Sequence, residues 1–180
     1  MCRIVVKLRR FFLQHSAFSQ FWFLPVWIAL GLAKLAIFTI SFRRLVPRLG
    51  VSVGPKPLVP LVELAQEKRA RQISSVVQLA ARYTPWESNC FPQAVVARVL
   101  LGAYGVPYCL FFGLRRKATN GEFDAHAWVA AGPVRVTGKS SFQHYTVVGV
   151  FTAPALARQL QQAQKPQPGT RNPEPGTGIP

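Results

Sequence analysis

Acidic side chains are scarce in this chain. Only six Asp and Glu residues accompany 22 Lys and Arg residues, and Asp124 is the one aspartate. The formal net charge of +16 predicts attraction to anionic partners such as acidic peptides or phospholipid head groups. Because the basic residues form small groups without an organising nucleic-acid motif, we expect no specific nucleic-acid recognition.

Cysteine is also rare. Cys2, Cys90 and Cys109 are too few for a disulfide framework, and without a clear secretion signal they favour a reducing cytoplasm. No Cys/His cluster has the spacing of a metal site, and no glycine-rich loop suits a phosphate. The sequence therefore predicts neither a metal nor another cofactor.

Residues 1–50 are strongly apolar and are predicted to form N-terminal helices. A membrane span needs roughly 20 apolar residues, and residues 18–42 reach that length only with Lys34 inside the stretch. The pattern favours helices packed on the domain or lying at a membrane surface, and a marginal span stays open. The predicted location is cytoplasmic, with membrane association through residues 1–50 as a further option.

The remaining chain predicts helices followed by strands. Residues 51–60, rich in proline, read as a linker, and residues 161–180 have the composition of a disordered tail. Residues 61–160 would form the main domain. Its two helices should cover residues 61–83 and 90–104, the second ending at Gly105, and strands should follow near residues 108–114, 123–130, 134–137 and 145–151. The predicted fold class is α+β, with N-terminal helices and then an antiparallel β-meander.

Cys90 is the strongest candidate for chemistry. It should stand at the start of a helix, where unpaired N–H groups and the helix dipole favour a thiolate. His126 lies on a later predicted strand, and this pairing is typical of papain-like acyl chemistry. His15 and His144 are competing bases. Gln93 is a candidate oxyanion donor, with Trp86 and Trp128 as candidate walls of the cleft; each of these has an equally simple structural role.

Several motifs resemble the transglutaminase-like B proteins of lasso-peptide biosynthesis, in particular the stand-alone B2 form. The resemblance covers about residues 73–151. It rests on Trp86 and Cys90, Pro92-Gln93-Ala94, Leu100-Leu101, Tyr104-Gly105-Val106-Pro107, Gly113-Leu114-Arg115 and Ala125-His126-Ala127-Trp128-Val129.

This resemblance implies a cysteine-type leader peptidase that cuts a ribosomally made precursor between leader and core. Cys90 matches the family's nucleophile and His126 its base. The implied partners are the precursor peptide, a separate PqqD-like leader-binding protein, and an asparagine-synthetase-like lasso cyclase that uses the freed amine.

The third member of the family's triad is missing from its usual place. The family has a carboxylate about a dozen residues after the histidine, and residues 134–140 contain no acid. A two-residue turn at Ala131-Gly132 would set Thr137 opposite His126, as a neutral orienter, while a longer turn would set Gly138 there. Asp124 shares the strand face of His126 and is the other candidate.

Three rival functions remain open from sequence. The first is a non-catalytic scaffold of the same fold that holds precursor and cyclase together. The second is a basic protein of the membrane surface. The third is an acyltransferase that uses the same Cys-His pair with a thioester donor.

Overall fold

A long apolar helix opens the described part of the chain. The structure is a computed structural model that describes residues 16–55, 58–117, 121–138 and 142–163. Helix α1 spans Ala17–Thr39, and the Ser16 hydroxyl caps it by accepting from the N–H of Ser19. A single turn, α2 (Phe42–Leu45), and a 3₁₀ turn (Val46–Arg48) follow. His15 lies outside the described residues.

Two further helices confirm the predicted pattern. Helix α3 spans Leu64–Arg82 and buries its predicted apolar side, including Ile73 and Val76. Helix α4 spans Cys90–Ala103. It ends before Gly105, whose φ of 64° is the left-handed conformation that terminates helices.

The sheet is antiparallel, which confirms the α+β class. Its described strands are β1 (Val51–Gly54), β2 (Cys109–Arg116), β3 (Phe123–Ala131), β4 (Val134–Arg135) and β5 (Thr146–Thr152), in the order β1-β5-β2-β3-β4. The prediction of a simple meander is wrong for β5. That strand pairs with β2, on the side away from β3, because strand order depends on long-range packing that turn residues do not encode.

Two segments differ from the predicted organisation, and a third agrees with it. Residues 51–54, predicted within the linker, form β1 and pair with β5. Helix α1 packs on the domain, as one of the predicted options had it, with Val26 and Leu30 buried in the main core. Helix α5 (Pro154–Ala163) was not predicted and takes in residues 161–163 of the predicted tail; residues 164–180 lie outside the described residues.

The two faces of the sheet have different neighbours. On the helix-covered face, Leu110, Ala127 and Val129 pack with α1, α3 and α4 in the main core. The outer face carries a smaller cluster of Cys109, Phe111, Trp128 and Val150, with Tyr145 packed against it. Since successive residues of a strand point to opposite faces, β3 contributes to both clusters.

Candidate functional site

Cys90 is the first residue of α4. Its thiol is free and half-buried, and the side chain of the N-cap residue Asn89 makes no capping hydrogen bond. Pro92, in the first turn, has no N–H to satisfy. The amino end of the helix therefore keeps its capacity to stabilise a negative charge on or near the Cys90 sulfur.

The loop that leads into Cys90 is fixed from two sides. The Gln93 amide donates to the Ser88 carbonyl at 2.6 Å, within the loop and helix start. From α1, Lys34 Nζ donates to the Glu87 carbonyl at 3.0 Å, and Trp27 Nε1 donates to the Tyr83 carbonyl at 3.1 Å. These bonds hold the position of the thiol. The amide of Gln93, the predicted oxyanion donor, is therefore engaged in the hydrogen bond to the Ser88 carbonyl.

Trp86 packs against helix α1. Its ring centroid lies 5.1 Å from that of Trp27. A Cβ added at Gly31 would lie 3.0 Å from the Trp86 ring, so glycine at residue 31 lets the indole approach α1 closely. Trp86 therefore packs the turn before Cys90 onto the N-terminal helix, and its role as a wall of the cleft stays a prediction.

His126 lies on the outer face of β3 between two aromatic rings. Its ring centroid is 5.7 Å from that of Trp128, in a stacked arrangement, and 5.0 Å from that of Tyr145. Burial is the main influence on the imidazole and lowers its pKa, opposed by the backbone of Gly138 and the charge of Asp124. The environment thus favours the neutral imidazole, the form that accepts a proton.

Gly138 lies beside the imidazole. A Cβ at residue 138 would sit 3.0 Å from His126 Nε2 and 2.4 Å from the Trp128 Cβ, and the φ of Gly138 is 73°. The buried Nε2 completes no hydrogen bond of ordinary geometry with the residues that the structure describes. The backbone of Gly138 is therefore the nearest polar neighbour in the region where the family's carboxylate was expected.

The register predicted for Thr137 is wrong. The turn falls at Gly132-Pro133, with Ala130 opposite Arg135 and Ala131 opposite Val134. The buried Thr137 hydroxyl accepts from the N–H of Val129 at 3.1 Å and has no recorded bond to His126. Thr137 consequently stabilises the edge of β3 and does not orient the imidazole of His126.

Asp124 binds two other groups instead of His126. Its carboxylate accepts from the Tyr145 hydroxyl at 2.6 Å and from Arg115 at 2.8 Å. These two hydrogen bonds, that of Tyr145 foremost, lower the pKa of Asp124. Asp124 thus positions Tyr145, whose ring packs against the imidazole.

Tyr145 is the site residue that sequence reasoning missed. It immediately precedes β5, the strand that pairs with β2 rather than β4, so no local pattern placed it near His126. Arg115 lies over its ring, 4.9 Å from the centroid. The competing base His144 is exposed on the preceding 3₁₀ turn, Phe142–His144.

The start of α4 lies at the end of the sheet that carries His126, with Phe91 on the helix-covered face and the imidazole on the outer face. Phe91, next to Cys90, contacts Phe112 with ring centroids 5.4 Å apart, and Phe112 is paired with Ala127, next to His126. The pKa of Tyr145 is raised, first by its hydrogen bond to Asp124. Among the described residues, the Nε2 atom of His126 has no hydrogen-bond partner, so Cys90 does not supply one.

Residues 35–150 match the model of the transglutaminase-like superfamily. The chain belongs to this superfamily. Comparison with curated proteins and with solved structures gives no match. The transglutaminase-like match includes both Cys90 and His126, while most of α1 precedes it.

A cavity of this transglutaminase-like domain has neither Cys90 nor His126 in its lining. Its volume is about 680 Å³, between α3 and β4, and Arg71, Arg82 and Arg135 are among its lining residues. Among the residues that the structure describes, no group of three His, Cys, Asp or Glu side chains could hold a metal ion.

Proposed function

We propose that this chain is a papain-like cysteine peptidase of the transglutaminase type, with Cys90 as the nucleophile and His126 as the base. One observation carries the proposal: an uncapped helix start bearing a free thiol lies near the end of the sheet that carries His126, whose pKa is lowered by burial. Catalytic hydrogen bonds are often long in ligand-free enzymes and tighten when substrate binds.

The reaction would proceed in two steps. The Cys90 thiol gives its proton to His126, and the sulfur attacks the scissile carbonyl to form a C–S bond. The C–N bond then breaks as the imidazolium returns the proton to the leaving amine. Water, deprotonated by His126, hydrolyses the thioester and regenerates the thiol. The start of α4 would stabilise the oxyanion.

The proposed substrate is the leader segment of a lasso-peptide precursor, as the B2 resemblance implies. Removal of the leader exposes the core amine for an asparagine-synthetase-like cyclase, and a separate PqqD-like protein would present the leader. The net charge of +16, with Arg115 beside Tyr145, suits an acidic peptide. The proposed location of this activity is the cytoplasm.

A non-catalytic scaffold is the second candidate. It is favoured by the missing carboxylate, since Nε2 of His126 has Gly138 beside it and no acid among the described residues that contacts it. Loss of an orienting carboxylate can lower rates by orders of magnitude. Under this alternative the chain would bring precursor and cyclase together while another enzyme cuts.

Incubation with the precursor and the leader-binding protein, followed by mass spectrometry, tests the proposal. We expect release of the leader, and Cys90→Ala should lower the rate by about 10⁴-fold or more. Cys109→Ala is the matched control, because that thiol is fully buried on β2, and it should keep activity. Cleavage that survives in Cys90→Ala would favour the scaffold. Failure of the wild-type chain with both partners present would reject the peptidase.

A further inference from the structure

Helix α1 exposes a continuous row of large apolar side chains, here called the α1 stripe. Its residues are Phe21, Leu24, Ile28, Leu32, Leu35 and Phe38, which are between 47% and 78% exposed. They are spaced three or four residues apart, so they lie along one side of the helix. From Phe21 to Phe38 the stripe runs about 26 Å at the rise of an α-helix.

The opposite side of α1 is fixed to the domain. Ser19, Val26, Leu30 and Ala33 are its buried residues, and the last three belong to the main core. Trp27 and Lys34 add hydrogen bonds to the loop before Cys90. A soluble domain rarely leaves a helix apolar on both sides, so the α1 stripe indicates a second apolar environment.

This packing decides how α1 could meet a membrane. By length and composition α1 could cross a bilayer. However, α3 packs along it and carries Glu67, Lys68 and Arg71, so a spanning α1 would draw charged groups into the hydrocarbon. The folded domain permits only contact along the helix, in the plane of the surface.

The charges around the stripe suit an anionic surface. Arg43, Arg44 and Arg48 follow α1 directly and are exposed. The described ion pairs join Arg71 to Glu67, Arg115 to Asp124 and Lys117 to Glu122, so none of them neutralises this basic segment. No acidic residue lies within α1 itself. Anionic lipid head groups would complement the segment while the stripe enters the acyl boundary.

An apolar groove adjoins the stripe. It has a volume of about 390 Å³ between α1 and α4, and its lining includes Leu32 of the stripe with Val95 and Val99 of α4. All of its lining side chains are apolar. The groove therefore extends the apolar surface from α1 onto the domain.

We propose that the α1 stripe docks this protein on the surface of an anionic lipid bilayer, with α1 lying in the plane of the membrane interface. The stripe and the adjoining groove contact the acyl region, and Arg43, Arg44 and Arg48 contact the head groups. This docking does not depend on the peptidase proposal, since it uses neither Cys90 nor His126.

Flotation of the full-length chain with vesicles tests the docking. We expect binding to vesicles of phosphatidylglycerol and phosphatidylcholine, and weaker binding to phosphatidylcholine alone. The double variant Leu24→Gln/Leu35→Gln should lower the partition coefficient about tenfold or more, because it removes apolar contact from the stripe. Arg43→Gln/Arg44→Gln should lower binding to the anionic vesicles at least about fivefold.

The matched control is Leu61→Gln/Leu64→Gln, at residues outside the stripe that are 94% and 85% exposed. It should change the partition coefficient by less than about twofold, and circular dichroism melts should show that every variant folds. Four results would overturn the proposal: no vesicle binding, an equal loss in the control, resistance to alkaline extraction as for a spanning helix, or dimers that disappear in Leu24→Gln/Leu35→Gln without any lipid binding.

Discussion

The two faces of β3 use neighbouring residues for different purposes. Ala127 and Val129 point to the helix-covered face and are almost completely buried in the main core. His126 and Asp124 point to the outer face, where they meet Tyr145 and Arg115. One strand thus supplies packing on one side and titratable groups on the other.

On β3, the residues that stabilise the fold and the residues that could take part in chemistry therefore lie on different faces. On the helix-covered face, side chains are interchangeable only at a cost in packing. On the outer face, glycines make room: a Cβ at Gly113 would lie 2.7 Å from the Tyr145 Cβ and 2.9 Å from the Trp128 ring. Substitutions on the first face should change the free energy of unfolding, and those on the second should change reactivity.

The largest expected effect is on the helix-covered face. Leu110→Ala should lower the free energy of unfolding by about 3–5 kcal/mol, because Leu110 is fully buried and the cavity would not refill. Urea unfolding measures this loss. Leu114→Ala, on the same strand and 36% exposed, is the control and should cost clearly less. Equal losses would contradict the conclusion that burial of Leu110 in the main core stabilises the fold.

Gly138→Ala should disturb both the stability of the fold and the reactivity at His126. The added methyl group would meet Trp128 Cβ at 2.4 Å in a backbone conformation with φ at 73°, so we expect a loss of about 2–3 kcal/mol in the free energy of unfolding. Gly54→Ala is a matched control, because Gly54 has φ 79° with no atom within 4 Å, and should cost about 1 kcal/mol. Equal losses in the free energy of unfolding for the two variants would show that the contact with Trp128 does not contribute to the cost of Gly138→Ala.

Tyr145→Phe should mainly affect reactivity. It keeps the ring against His126 but removes the hydroxyl bond to Asp124, and we expect a fall of about three- to tenfold in kcat/KM for leader cleavage. The rate of Cys90 alkylation by iodoacetamide gives a second readout that needs no substrate. If unfolding changes while both rates stay the same, Tyr145 has a structural role only.

The smallest expected effect is a pH dependence from His126. Because burial holds its folded pKa below the usual 6.5, the unfolded chain binds more protons just below that pH. The contribution to stability is therefore complete above about pH 6.5 and declines as the pH falls toward the folded pKa. The imidazole is only partly buried, which keeps the effect small.

Urea unfolding of the wild type and of His126→Gln, from about pH 5 to about pH 7.5, measures this slope. His126→Gln should flatten it, whereas His144→Gln, at an exposed residue, should not. The acid limb of kcat/KM should likewise fall below pH 6.5 in the wild type. An acid limb with its midpoint at or above pH 6.5 would contradict the lowered pKa of His126.

Local patterns were sufficient for most elements and for part of the site. Helical spacing predicted α3, and Cys90 at a turn-to-helix boundary predicted the start of α4. The placement of Thr137 failed because a shift of the turn by one residue moves the register by two. Tyr145 was missed because its position depends on the pairing of β5 with β2.

The sequence by itself determined the α+β class, the thiol at a helix start, and the alternation that gives β3 its two faces, because these depend on neighbours within a few residues. Only the tertiary structure decided that Gly138 and Tyr145 meet His126, that Asp124 binds Tyr145 and Arg115, and that α1 is packed along one side. Each of those outcomes brings together residues from different segments of the chain. Such contacts depend on strand order and on burial, and no local sequence pattern specifies either of them.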